Sequence, residues 1–284
     1  MPLALAVKTE IGSEAIKMDA PVYKYVKAEL VASSAIAIIK YNRPASGNSL
    51  HPQLVEDMLA AMRWANNHPA VRVVIQTGEG KFFCTGMELV DHDTSKPMSF
   101  AIGSDFHLLN TELITSSKVL IAAVNGPAAG YGVSSLALFD LVYSLPDAYF
   151  FTPFVKWGMA AEGASSLSFP KLMGHQKAAL LFLAGERIAA TEAERLGLVS
   201  KILPRKDFLQ EVVAIGTRMA NAPLGSLKAT KSLMKQPVMQ ALLDANDREC
   251  ELIHRERYGF DEYTRAIQQF RDEQALKRQS KTKL

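Results

Sequence analysis

Two glycine turns constrain this chain more than any other feature: Phe82-Phe83-Cys84-Thr85-Gly86-Met87-Glu88-Leu89 and Asn125-Gly126-Pro127-Ala128-Ala129-Gly130-Tyr131-Gly132. Each follows an apolar run that reads as a buried strand, residues 71–77 and Val119–Val124, and each leads towards a segment that can be helical. Glycine lets the backbone turn sharply and lets a ligand approach it closely. Two such turns side by side can aim two backbone N–H groups at one oxygen, the design that stabilises charge developing on a carbonyl. A single turn of this kind is equally consistent with a tight strand-to-helix connection.

Composition narrows the class. A chain of 284 residues can bury a sizeable core as one large domain or two modest ones. It is 48% apolar and 21% charged, the balance of a soluble globular protein. A net charge of +3 with no basic stripe between aromatics argues against nucleic acid. Two cysteines, Cys84 and Cys250, form neither a disulfide framework nor a Cys-x-x-Cys metal spacing, so a reducing or neutral compartment is expected. No apolar run suits a membrane span. The apolar stretch over residues 3–7 is too short for a signal-peptide core.

Along the chain, residues 1–20 read as a loose extension, and strands are expected over 22–31 and 35–41. A polar turn over 44–48 precedes a helix, Pro52–Asn67, with apolar residues at Leu54, Met58, Ala61, Met62 and Ala65. Residues 91–100 form a polar loop suited to mobility, 106–113 a helix, and Leu141–Ser144 and Tyr149–Phe151 short strands. Helices are then expected over 165–172, 176–183, 191–196 and 208–221, followed by 227–235, 238–257 and 261–277. The pattern changes near residue 220 from mixed to purely helical. It divides the chain into an extension (1–20), an α/β core (21–220) and a helical C-terminal module (221–284).

Several chemistries lack their residues. Gly130-x-Gly132 has no third glycine and no acidic partner about twenty positions on, so it is not a dinucleotide fingerprint. There is no Gly-x-Ser-x-Gly elbow to make Ser134 or Ser165 a nucleophile, and no Walker loop. The six histidines never take His-x-x-x-His spacing, and Asp91-His92-Asp93 reads as a solvated loop sooner than a metal site. What remains is an enzyme without metal or redox nucleotide.

Over residues 22–215 the chain resembles the crotonase (enoyl-CoA hydratase/isomerase) superfamily. The resemblance is carried by Asn48-Ser49-Leu50, by both glycine turns with the preceding Ala123-Val124, by Asp140-Leu141-Val142-Tyr143, and by Gly185-Glu186-Arg187-Ile188 with Ala193 and Leu196-Gly197-Leu198-Val199. It implies ββα units wound into a spiral, a helical trimerisation module, and an acyl-CoA thioester as substrate, with CoA as the only cofactor-like group. A homotrimer or hexamer is expected. The resemblance places the two oxyanion-hole N–H groups on Met87 and Tyr131. It assigns the surrounding substrate-binding segments to Asn48, Ser49, Cys84, Thr85, Gly86, Glu88 and Gly130. Taken singly, Glu88 reads as structural and Cys84 as packing.

The carboxylates choose the reaction. Hydratases of this superfamily position water with two glutamates, which would fall here at Ser134 and Phe154; neither residue can serve as general acid or base. Glu162 stands alone in Met159-Ala160-Ala161-Glu162-Gly163-Ala164-Ser165-Ser166, and resembles the single catalytic glutamate of peroxisomal-type Δ3,Δ2-enoyl-CoA isomerases. One carboxylate can remove a proton at C2 and return one at C4. An apolar pocket would raise its pKa and make it a better base. The competing reading is that Glu162 caps the helix that follows. Other crotonase reactions (hydration, dienoyl isomerisation, a specialised biosynthetic step) and a non-catalytic acyl-CoA-binding protein stay open.

Remaining polar residues suggest less. Asp140 reads as a buried, hydrogen-bonded acid, and Trp64 and Trp157 as core or wall. Lys228, Lys231 and Lys235 share a helical face suited to solvent or to CoA phosphates. The C-terminal Thr282-Lys283-Leu284 differs by one residue from the Ser-Lys-Leu peroxisomal address, so an import receptor is a candidate partner. The alternatives are a frayed basic tail and a cytoplasmic or mitochondrial location.

Overall fold

The computed structural model describes residues 20–31, 35–89 and 98–282. The expected extension over 1–19, residues 91–97 of the polar loop, and the last two residues of the C-terminal tripeptide lie outside the described residues.

Val- and Ile-rich runs become strands because both of their faces are covered. They are β1 (Val26–Val31), β2 (Ile36–Tyr41), β3 (Val73–Gly78), β4 (Val119–Val124), β6 (Leu141–Ser144) and β9 (Lys201–Ile202), hydrogen-bonded in the order β1-β2-β3-β4-β6-β9. β1 runs antiparallel to β2, and every later neighbour is parallel. Parallel neighbours need crossovers, and helices α1 (Pro52–Asn67) and α2 (Asp105–Thr115) supply them between β2, β3 and β4. A second sheet joins three short strands, β5 (Ala128–Ala129), β7 (Tyr149–Phe151) and β8 (Ile188–Ala189), in the order β5-β7-β8.

Alternation along β2 divides the core in two. Ala37, Ile39 and Tyr41 face the main cluster with Leu54, Met58 and Met62 of α1. Ile36 and Ile38 face the other side, where α7 (Phe208–Ala220) packs Phe208 and Val212 against Val73, Ile75 and Ile121. The remaining helices are α3 (Tyr131–Ser134), α4 (Ser165–Met173), α5 (His175–Phe182), α6 (Ala190–Arg195), α8 (Leu224–Leu252) and α9 (Asp261–Thr282).

Four expectations need correction. The helices expected over 227–235 and 238–257 are one helix, α8, which continues as a π-helical turn, Ile253–Arg257. Pro237 ends no helix there, because the carbonyl it leaves without a donor belongs to Leu233, which is 73% exposed and open to water. Lys231 is buried and donates to Asp140 Oδ2 at 2.7 Å and to the Lys118 carbonyl. Lys235 is equally engaged, on the Leu113 carbonyl at 3.0 Å. Asp140 also accepts from Leu120 N at 2.7 Å, yet a quarter of its side chain is exposed (25%), since it sits at the mouth of β6.

Asn48 shows how the first glycine turn is held. It lies in the left-handed region (φ +58°) with its side chain fully buried. Oδ1 accepts from Arg43 N at 2.9 Å, and Nδ2 donates to the carbonyls of Glu79 (3.0 Å) and Phe82 (2.8 Å). Asn48→Ala strands those groups and puts a Cβ-only residue at positive φ. The expected loss is about 3 kcal/mol of unfolding free energy, read as a lower urea midpoint with an unchanged denaturant slope.

Candidate active site

The two turns are zipped to each other. Phe83 N donates to Pro127 O at 3.1 Å and Ala129 N to Cys84 O at 2.9 Å, a short parallel bridge. Gly86 (φ +78°) and Gly130 (φ +51°) meet backbone to backbone, so a Cβ on Gly86 would stand 3.2 Å from the Gly130 Cα. On the outer side, Leu50 N donates to Gly86 O at 2.7 Å and Glu88 N to Leu50 O at 3.0 Å. Strand alternation therefore turns the Met87 N–H the other way. Tyr131 N is the first amide of α3, one of the donors a helix leaves without an internal acceptor. Neither amide donates to any described residue.

Tyr131 keeps its bulk out of this space. Its ring is buried 5.0 Å from Phe106, and its hydroxyl donates to Asn110 Oδ1 at 2.7 Å. Asn110 in turn donates to Asn246 of α8 at 2.9 Å. A side chain that would crowd a substrate is spent tying α3 to α2 and α8.

Met87, Gly86 and Gly130 line a small cavity of about 50 Å³ together with Phe154, Trp157 and Glu162. Thr85 lines it as well. Asn48, Ser49, Cys84 and Glu88 stand behind the turn instead. Glu88 accepts from Ser49 Oγ at 2.6 Å and pairs with Arg43 at 3.0 Å, while Cys84 is fully buried. Ser134 and Phe154, at the two positions where hydration would need carboxylates, are both buried. Glu162 is the one carboxylate among the described residues lining the cavity. Among the described residues no group of three or more His, Cys, Asp and Glu side chains is placed to hold a metal ion. Nor is any helix among them long and apolar enough to cross a membrane.

Glu162 is 6% exposed, and no described residue hydrogen-bonds its carboxylate. Burial, and then the nearby charge of Glu249, push its pKa up to about 8. It does not cap α4. That role belongs to Glu249 of α8, which accepts from Ala164 N at 2.6 Å and Ser166 N at 2.8 Å. Sequence reasoning missed Glu249, although a signal existed: it shares a helical stripe with buried Leu242, Ala245, Asn246 and Cys250, where an acid is out of place.

A family model described as enoyl-CoA hydratase/isomerase matches residues 31–277. The chain belongs to the enoyl-CoA hydratase/isomerase family. It is 32% identical over 249 residues to enoyl-CoA delta isomerase 2 of Rattus norvegicus, covering 86% of this chain and 63% of that protein. Over 260 residues it is 31% identical to the peroxisomal enoyl-CoA delta isomerase 3 of Mus musculus, covering 90% and 80%. The chain thus spans less than two thirds of the rat relative. The crystal structure of an enoyl-CoA hydratase/isomerase from Pseudoalteromonas atlantica superposes with a TM-score of 0.80 at 26% identity, covering 88% of this chain and 98% of that one.

In this member of the enoyl-CoA hydratase/isomerase family the raised Glu162 has a measurable cost. The folded chain holds the Glu162 proton up to about pH 8, whereas an unfolded chain releases it near 4.5. The folded state therefore binds the extra proton between those values, and stability falls as pH rises through them. Glu162→Gln removes the ionisation. We expect it to lie a little below wild type at the acid end, where it buries an amide in place of a neutral carboxyl, and to exceed it above about pH 8. The expected gain is roughly 3 kcal/mol, allowing for the amide it buries, and urea unfolding at the two pH values measures it.

Proposed function

We propose that the chain is a Δ3,Δ2-enoyl-CoA isomerase that moves the double bond of a 3-enoyl-CoA to trans-2-enoyl-CoA. The observation that carries this reading is Glu162, the one carboxylate among the described residues that line a cavity shared with both glycine turns. In the ground state the Met87 and Tyr131 N–H groups hold the thioester oxygen. The Glu162 carboxylate takes a proton from C2, and the C–H electron pair becomes part of a dienolate whose charge rests on that oxygen. The protonated Glu162 then gives the proton to C4. The C3–C4 π pair takes that proton, the C1–C2 π pair shifts to C2–C3, and an oxygen lone pair re-forms the thioester carbonyl, leaving Glu162 as it began. A pKa near neutrality suits a group that must both take and give. CoA enters as part of the substrate, and no other cofactor has a step.

The names of the rat and mouse relatives support isomerisation over hydration. So does the chemistry of Ser134 and Phe154, which cannot replace two carboxylates as general acid and base on a water. We place the reaction in the β-oxidation of unsaturated fatty acids. The name of the mouse relative supports a peroxisomal location. Family kinship supports a homotrimer or hexamer built through residues 221–284. The test supplies a 3-enoyl-CoA and follows the absorbance of the conjugated thioester. Conjugation without added water is the expected result. A 3-hydroxyacyl-CoA product would mean a hydratase, and tight CoA binding with no turnover on any enoyl thioester a binding protein.

A further inference from the structure

We propose that Glu249 is a positioning residue for Glu162: from α8 it pins the turn on which Glu162 stands and sets a fixed negative charge beside the shuttle. The proposal rests on reading Glu162 as the proton carrier. Its geometric basis is independent of that reading.

The turn needs pinning. Between Glu162 and α4 the backbone passes through two consecutive left-handed residues, Gly163 (φ +69°) and Ala164 (φ +55°). Ala164 carries a Cβ and is strained there by about 1 kcal/mol or more. Glu249 holds that shape with two short hydrogen bonds, from Ala164 N at 2.6 Å and Ser166 N at 2.8 Å. It reaches across from a helix more than eighty residues away in sequence, |i−j| being 85 and 83. α8 is itself locked to the rest of the site, because Asn246, one turn earlier, closes the Tyr131–Asn110 chain. One helix thus supports the residue bearing one candidate oxyanion donor and the turn bearing the base.

The charge matters as much as the cap. Among the described residues, the titratable groups coupled to Glu162 are Cys84 from the first turn, Tyr131 from α3, and Glu249 and Cys250 from α8. Burial pushes both thiols up to about 12 and the Tyr131 phenol well above its usual range, so all three are neutral where the enzyme works. Glu249 is the remaining charge. Burial raises its pKa too, but the Ser166 and Ala164 N–H groups favour its ionised form, and the exposed Arg248 adds to them. Glu162 has no such donors. Two buried, electrostatically coupled carboxyls resist ionising together, so the one with donors keeps the charge and the one without takes the proton.

The experiment follows the protonated carboxyl stretches by infrared difference spectroscopy across pH, with Glu162 assigned by its loss in Glu162→Gln. In wild type, Glu162 is expected to titrate near pH 8 while Glu249 stays ionised. In Glu249→Gln the Glu162 midpoint falls by about one pH unit or more, and kcat drops with a smaller change in KM. Glu249→Asp, which keeps the charge on a shorter arm, restores the raised midpoint. A folded Glu249→Gln with an unmoved midpoint would overturn the proposal. So would a wild-type Glu249 that takes its proton before Glu162, a result that decides the matter even where the Gln variant does not fold. Titration is read without turnover. A wild type that never isomerises a 3-enoyl-CoA therefore sinks the functional reading, while the midpoints still judge Glu249.

Discussion

Glu162→Gln lowers kcat for double-bond migration about 10³-fold while leaving 3-enoyl-CoA binding nearly intact. Glutamine fills the same space on the cavity wall but takes no proton from C2 and returns none to C4. On the proposed mechanism binding survives, because the substrate's handle is its thioester oxygen at the Met87 and Tyr131 amides and not the Glu162 carboxylate. No described residue offers a substitute base, since Glu162 is the one carboxylate lining the cavity and Ser134 and Phe154 stand at the neighbouring positions. Folding is not at risk either, because the variant replaces a buried ionisable group with a neutral one of the same shape. Steady-state kinetics with a 3-enoyl-CoA, together with the binding of a saturated acyl-CoA, measure both halves. A Gln variant with wild-type turnover would remove Glu162 from the mechanism.

The second large effect is structural and falls on the turns themselves. A Cβ on Gly132 would lie 2.3 Å from the Cys84 carbonyl oxygen, and one on Gly126 would lie 2.0 Å from that of Lys81. Both obstacles are backbone atoms, and the Cys84 carbonyl is itself held by Ala129 N in the bridge between the turns, so neither swings aside as a side chain would. Gly132→Ala and Gly126→Ala are each expected to destabilise by about 3 kcal/mol or more. The survivors lose activity as well, because the strain is relieved by parting the very turns that carry Met87 and Tyr131. Gly225 is the control. A Cβ there meets nothing within 4 Å and the residue lies in the first turn of α8, so Gly225→Ala is neutral or stabilises by about 0.5 kcal/mol. Urea midpoints of the three variants separate close approach from mere loss of a glycine.

What could be read from the sequence was local. The buried strands, α1 and the two glycine turns carry their signals within a few residues, as does the lone acid in the small-residue stretch at 159–166. The parts that were not legible are those defined by a distant partner. β5, β8 and β9 are two residues long and exist only because β7 and β6 lie beside them. Their own side chains have no room for periodicity. The expected break between 227–235 and 238–257 spans Pro237, whose local effect is to break a helix; that the carbonyl it frees belongs to an exposed residue is a tertiary fact. Lys231 read as one of a solvated row until Asp140 and the Lys118 carbonyl were placed around it. Glu249 is the extreme case, an acid on a helix that looked destined for subunit packing, whose partners belong to the turn beyond Glu162.

Glu162 itself was legible as a residue, but its state was not. Whether a glutamate before a helix caps that helix or serves in a pocket depends on where its carboxylate points. Here the cap is occupied by another residue, which leaves Glu162 to the cavity.

The account is tested most directly by following the proton. A 3-enoyl-CoA deuterated at C2 is converted by the chain, and mass spectrometry locates the label in the 2-enoyl-CoA product. A single buried carboxylate that takes from C2 and gives to C4 carries a measurable fraction of the deuterium to C4, and Glu162→Gln carries none. Label lost wholly to solvent in every turnover, or product bearing a hydroxyl at C3, would contradict the single-glutamate isomerase.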